Sequence, residues 1–255
     1  MKGRVLFMTL LVSILGAGCA SQPEDPNRQR DLEQASDLNA DLGLAYMRQG
    51  RLDVALDKLE KGIEQNPKNG KAHHYLAELY RRTDKPDEAS EHYRKALDLL
   101  PRDMALRNNY GVFLCDQGDY DEAFKYFFQV LDDPVYPDKA GVNENIGICA
   151  LRKENRHMAR EFLNTALKSN PTSPKSLLAL AEVEFHYQDY KESYRLFKRY
   201  LRHGNHTPQS LLLGYQLEKR RGQLEVADSY AIILKGKYPE SPEAKRLYKL
   251  ETKGQ

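Results

Sequence analysis

The sequence contains no tryptophan and only three cysteines in 255 residues, which excludes a small scaffold held together by disulfides. Neither sign of charge dominates: 39 lysines and arginines face 37 aspartates and glutamates, so the strong positive field of a nucleic-acid binder is missing. Long hydrophobic runs are also missing. The one uncharged apolar stretch, residues 5–18, has 14 residues, enough for roughly 21 Å of helix against a bilayer core of about 30 Å. Catalytic and cofactor motifs are absent as well: there is no HExxH, no GxSxG, no glycine-rich phosphate loop and no CxxC. His73 and His74 are adjacent and cannot share one helix face, and His203 and His206 flank a Gly-Asn loop. The acidic run Asp116 to Glu122 lacks the ligand spacing of a calcium loop. It reads as a turn, with Gly118 in an unusual backbone conformation and Asp119 capping the next helix. No metal, cofactor or small-molecule substrate is expected.

What is present begins at the N-terminus. Lys2 and Arg4 precede the apolar stretch, and residues 1–18 read as a cleaved export signal. Its end, Leu15-Gly16-Ala17-Gly18-Cys19, resembles a bacterial lipoprotein signal. In that pattern the thiol of Cys19 takes a diacyl group, the mature N-terminus carries fatty chains such as palmitate, and a large aliphatic residue stands where Gly16 does. Ala20 is not the aspartate that holds such lipoproteins at the inner membrane. The resemblance therefore implies the outer membrane, with the folded part in the periplasm. Residues 19–35 are polar with two prolines and are expected to form a flexible tether.

Beyond the tether the chain repeats itself every 34 residues. Gly43, Ala77 and Gly111 keep that spacing, as do Ala55, Ala89 and Ala123, and Leu59, Tyr93 and Phe127. After a two-residue insertion the register resumes at Gly147, Ala159, Leu163 and Pro171. A period of about 34 with small residues at the eighth, twentieth and twenty-seventh places is the tetratricopeptide signature: paired helices approach closely, and large residues fill between them. The expected fold is all-α, a right-handed superhelical solenoid of six helix pairs over 36–69, 70–103, 104–139, 140–173, 174–207 and 208–241, with 242–255 as a C-terminal tail whose charged last stretch, 246–255, is expected to be the frayed end of a capping helix. The fifth unit is degenerate, with Ser193 and Tyr200 at small-residue places. In the sixth, Gly214 stands one residue early, which predicts an extra residue in its interhelical turn.

Two features of this frame bear on function. Cys115 and Cys149 both fall late in the first helices of successive units, so they are either a disulfide permitted by an oxidising compartment or two buried thiols. The concave wall is the usual binding surface of such a stack, lined by the second, fifth, ninth, twelfth and thirteenth places of each unit. A partner groove is expected from Ala40, Leu44, Met47 and Arg48, then His74, Glu78 and Arg81, then Asn108 and Val112. Its mixed character suits an amphipathic helix or an extended segment. The Lys and Asn of a chaperone-type carboxylate clamp are missing, since Ala40 and Leu44 occupy their places.

The segment from Asn108 to Ala123, NNYGVFLCDQGDYDEA, resembles the third repeat of the type IV pilus biogenesis and stability lipoproteins, the PilF/PilW pilotins. So do the inserted Tyr136-Pro137, the Glu144-Asn145-Ile146-Gly147 segment and the Ser210-to-Gly214 segment. The resemblance runs from Cys19 to about Pro239. It implies a non-enzymatic protein that binds secretin subunits and helps them reach the outer membrane and assemble. A different class, an outer-membrane adaptor scaffolding cell-wall hydrolases or synthases, shares the lipoprotein signal and the repeats but not these segments.

Overall fold

The computed structural model describes residues 26–252. The export signal, Cys19 and residues 20–25 lie outside the described residues, as do 253–255. Within that span the chain is helical throughout. The first helices of the six units are α1 (Pro26–Arg48), α3 (Gly70–Arg82), α5 (Met104–Asp116), α7 (Lys139–Arg152), α9 (Pro174–His186) and α11 (Pro208–Arg220). They alternate with the second helices α2 (Leu52–Gln65), α4 (Pro86–Leu99), α6 (Tyr120–Asp132), α8 (Arg156–Ser169), α10 (Tyr190–Tyr200) and α12 (Leu224–Lys237). A thirteenth helix, α13 (Pro242–Thr252), follows. Each first helix packs on its own second helix, and α1, α3, α5 and α7 each also pack on the next first helix; the buried apolar residues lie in a large central cluster with a smaller one at each end of the solenoid.

The repeat is legible in the turns. The fifteenth residue of every unit takes a left-handed backbone: Gly50, Asp84, Gly118, Glu154, Gln188 and Gly222, with φ between 57° and 84°. The next residue then sends its N–H back to a carbonyl five places earlier, as in Asp119 N to Leu114 O at 2.9 Å and Asn155 N to Ala150 O at 2.8 Å. This closes the first helix and turns the chain within three residues. Asp119 stands at the N-cap of α6 but makes no capping bond through its side chain, contrary to its expected role. The Schellman turn already delivers the chain there, and Asp121 and Glu122 supply the negative charge of the first turn.

Packing between paired helices follows size complementarity. A Cβ added at Gly111 would lie 2.7 Å from the Phe127 ring, and one at Gly43 would lie 2.5 Å from Leu59. Ala77 with Tyr93 and Ala181 with Phe197 repeat this arrangement, all four fully buried.

Three expectations need correction. Residues 26–35 are not a tether: α1 starts at Pro26, where fixed φ suits the first turn of a helix. Residues 242–252 are not a tail either, because α13 buries Ala244 and Leu247 against α11 and α12 and caps the open end of the stack. The sixth unit has no extra turn residue: three residues separate α11 from α12, as in the other units. Instead the size order is exchanged. Tyr215 takes the eighth place and Ala231 the twenty-fourth, both 4% exposed in one cluster, while Gly214 faces Tyr230.

The fifth unit keeps its pairing by other means. The buried Ser193 hydroxyl donates to the carbonyl of Ala181 at 2.7 Å. The ring of Tyr200, in a place for a small residue, lies where a Cβ on Gly204 would stand, 2.3 Å away, and its hydroxyl donates to the carbonyl of Asn205.

Candidate partner groove

Along one side of the stack the first helices present their thirteenth residues to solvent and, in five of the six units, half-bury their ninth. Leu44, Val112 and Ile148 make the apolar part of this floor; Glu182 and Gln216 are its polar continuation, and Glu78, the ninth residue of the second unit, is buried. The thirteenth places form a largely basic row of Arg48, Arg82, Asp116, Arg152, His186 and Arg220. Of the residues expected to line the groove, Leu44, Arg81, Asn108 and Val112 are half-buried on it and Arg48 is exposed. Ala40 and Met47 are not groove residues. They are 0% and 3% exposed, and Met47 packs with Ala55, Leu59, Leu76 and Leu79. The fifth and twelfth places face the next first helix, and α3 covers them here.

His74 and Glu78 are also buried, and both are bound into the wall. The Asn109 amide and His74 Nε2 lie 3.0 Å apart, and burial holds the His74 imidazole below its ordinary pKa. Glu78 begins a chain of polar contacts across three units. The Tyr93 hydroxyl donates to Glu78. Arg81 reaches Glu78 at 3.1 Å and Asp116 at 3.0 Å, and Arg152 pairs with the other oxygen of Asp116. Burial, reinforced by the Glu78 carboxylate, raises Tyr93 well above the ordinary phenol range, so it remains a donor. For Arg81, burial alone would lower the pKa, but the carboxylate of Glu78 outweighs it.

Beside this chain Cys115 and Cys149 form a disulfide between α5 and α7, with Cα atoms 5.7 Å apart. The bond lies in the wall of a cavity of about 290 Å³ bordered by Val112, Asp116, Asn145, Ile148 and Arg152.

The NNYG segment is built into the same wall. Asn145 donates to Asn108 at 3.1 Å, Tyr110 meets Tyr126 edge-on at 4.9 Å, and Gly111 makes room for Phe127. The inserted Tyr136-Pro137 turn is tied down from both sides. Asp133 accepts from the backbone N–H groups of Val135 and Tyr136 at 2.8 and 3.1 Å. The Lys139 ammonium donates to the last carbonyls of α6, those of Val130 and Leu131, at 2.8 and 2.6 Å, where a cation is favoured.

The described residues contain no group of three or more His, Cys, Asp or Glu side chains arranged to hold a metal ion. None of their helices is long and apolar enough to cross a membrane. His203 and His206 lie exposed in the loop after α10.

A family model described as tetratricopeptide repeat matches residues 40–103 and 76–139. The type IV pilus assembly protein PilF of Pseudomonas aeruginosa is 30% identical over 238 residues, covering 93% of this chain and 94% of that protein. The chain belongs to the PilF family of type IV pilus assembly proteins. Solved structures agree. A Pseudomonas aeruginosa PilF structure superposes with a TM-score of 0.72 at 31% identity, covering 86% of this chain and 98% of that one. PilW, described as a widely conserved type IV pilus biogenesis factor, superposes with a TM-score of 0.73 at 29% identity, covering 84% of this chain and 99% of its own.

The groove expected from the sequence ends at Asn108 and Val112 of the third unit. Its continuation over α9, α11 and α13 was not identified. There Glu182, at the ninth place of the fifth unit, lines a cavity of about 160 Å³ with Glu243 and Arg246 of α13. Burial, with a smaller contribution from Glu243, lifts its pKa to about 7, and Arg246 opposes the rise. The fifth-, ninth- and twelfth-place residues of these units were available to the same counting rule. The approach of α13 was hidden by reading residues 242–255 as a tail.

Proposed function

We propose that this protein is an outer-membrane lipoprotein, anchored through Cys19 with its solenoid in the periplasm. In this reading it binds type IV pilus secretin subunits and promotes their localisation and multimerisation. It acts as a binding surface and not as an enzyme. In the groove Asp116 is held by Arg81 and Arg152, and among the described residues no nucleophile stands beside a base there. The observation that carries the reading is family membership across 93% of the chain. Leu44, Val112 and Ile148, half-buried among charged rims, give an amphipathic segment of a secretin subunit a surface for its apolar side.

The test is genetic and biochemical. Deleting the gene should abolish surface pili and the heat-resistant secretin multimer, and Cys19→Ser should mislocalise the protein. Leu44→Asp combined with Arg48→Glu should weaken secretin binding while leaving the helical signal intact. Met47 is unsuitable for this purpose because it belongs to the core. Unchanged multimers in the deletion strain would overturn the reading. Wild-type secretin affinity in the double variant would remove the first-unit groove as the site.

A further inference from the structure

The groove does not end where the first-unit site would place a partner. Over the last two units a second cavity, about 310 Å³, crosses three successive first helices. Its lining is Phe185 from α9, Tyr215, Gln216, Lys219 and Arg220 from α11, and Leu250 from α13. The volume is at the lower end for small-molecule pockets, which span about 300–1,000 Å³, and suits one large side chain better than a cofactor.

The cations at its rim differ from the paired ones of the central units. Arg81 and Arg152 reach Asp116, Arg160 reaches Glu184 and Arg221 reaches Glu218. Lys219 and Arg220 have no carboxylate partner among the described residues. Lys219 lies 3.1 Å from the Tyr215 hydroxyl. Arg220 lies over aromatic faces, its guanidinium carbon 4.1 Å from the Tyr190 ring centre and 5.6 Å from that of Phe185. Aromatic faces hold a guanidinium in place without neutralising it. The structure thus presents two oriented positive charges beside an apolar depression. The neighbouring cavity, which shares Phe185 and Gln216 with this one, is bordered by Glu182, Glu243 and Arg246.

We propose that this end of the groove is a second docking site. Its occupant is an acidic–apolar peptide segment of a partner protein, with one large apolar side chain on Phe185, Tyr215 and Leu250 and an adjacent carboxylate on Lys219 and Arg220. Charge complementarity selects the occupant: a carboxylate beside the apolar depression meets Lys219 and Arg220, two cations that have no acid of their own among the described residues. The site lies on different units from the first-unit groove, and its existence does not depend on the identity of the partner proposed above.

The probe is a fluorescein-labelled octapeptide with one aspartate next to one phenylalanine among glycines and serines, titrated into the folded protein and read by anisotropy. Binding should saturate and weaken with added salt. It should fall at least about tenfold, or 1.4 kcal/mol, in the Lys219→Gln, Arg220→Gln double variant. A peptide with lysine in place of the aspartate should bind at least about tenfold more weakly. Leu44→Asp with Arg48→Glu should leave peptide binding unchanged, which separates this site from the first-unit groove. Circular dichroism on both variants checks that the fold is retained. Equal affinity for the two peptides, unchanged affinity in the glutamine variant, or no saturable binding would each overturn the proposal. So would binding to phosphatidylglycerol vesicles through the same two residues in place of the peptide.

Discussion

The exchanged pair in the sixth unit allows a direct test of how this solenoid is packed. In the second and fifth units a small residue at the eighth place meets a large one sixteen residues on, as in Ala77 with Tyr93 and Ala181 with Phe197. In the sixth, Tyr215 and Ala231 hold these places with the sizes reversed, both 4% exposed. Tyr215→Ala removes a buried ring and should cost about 3–4 kcal/mol. Ala231→Phe alone forces a ring against Tyr215 and should cost up to about 3 kcal/mol by overpacking. Together the two changes recreate the Ala181–Phe197 arrangement, so the double variant should lose only about 1–3 kcal/mol, a favourable coupling of about 3 kcal/mol. The contact between Lys219 and the Tyr215 hydroxyl is lost in the single and the double variant alike and cancels from the cycle. The chain has no tryptophan to report on local unfolding. The assay is therefore hydrogen exchange by mass spectrometry on peptides from α11 and α12, with α5 and α6 as the unaffected reference. Costs that add within about 0.5 kcal/mol would refute the exchange and show that the two side chains are accommodated independently.

Three further outcomes follow from the same coordinates. Replacing both Cys115 and Cys149 by serine opens a loop with a sequence separation of 34 and should destabilise the central units by about 4 kcal/mol in the chain-entropy view, measured as a lower urea midpoint; an unchanged midpoint would contradict it. Gln188, with φ of 64°, holds a place that Gly50, Gly118 and Gly222 fill elsewhere. Gln188→Gly should therefore raise stability by about 0.5–1 kcal/mol in thermal unfolding, whereas Gly118→Gln should lower it. Glu182 titrates near 7 in the folded protein against 4.5 ordinarily. Because the folded value is the higher one, its contribution is fully present below about pH 4.5 and is lost as pH rises through about 7. Glu182→Gln should remove that part of the slope and stabilise the C-terminal units at pH 8 by about 2 kcal/mol, read by hydrogen exchange at two pH values.

Much of the architecture was legible because a solenoid writes its packing into the sequence at fixed intervals. The period of Gly43, Ala77 and Gly111 carries the all-α repeat, since each small residue answers to one large neighbour sixteen places on. The same rule misread the sixth unit because it assigned size to a place, whereas the core constrains only the pair. Composition misled at both ends. The polar residues 26–35 form helix because they continue a helix anchored downstream by Ser36, Ala40 and Gly43. Residues 242–252 carry many charges, yet Ala244 and Leu247 suffice to dock α13. On the groove, counting identified the first helices but not which of their residues face outward. Ala40 and Met47 are covered by the following unit, and that depends on the offset between successive pairs, which no residue type reports. The polar chain from Glu78 through Arg81 and Asp116 to Arg152 includes two links, between residues 35 and 36 apart, that form only once the stack has formed.

The central claim is that this solenoid is a secretin-binding surface. Affinity capture with this protein from bacterial envelope membranes, followed by identification of the main bound protein, tests it most directly. The account predicts the type IV pilus secretin as the principal partner, depleted when Leu44→Asp and Arg48→Glu are introduced together. A cell-wall hydrolase or synthase as the principal partner, with the secretin absent, would contradict it.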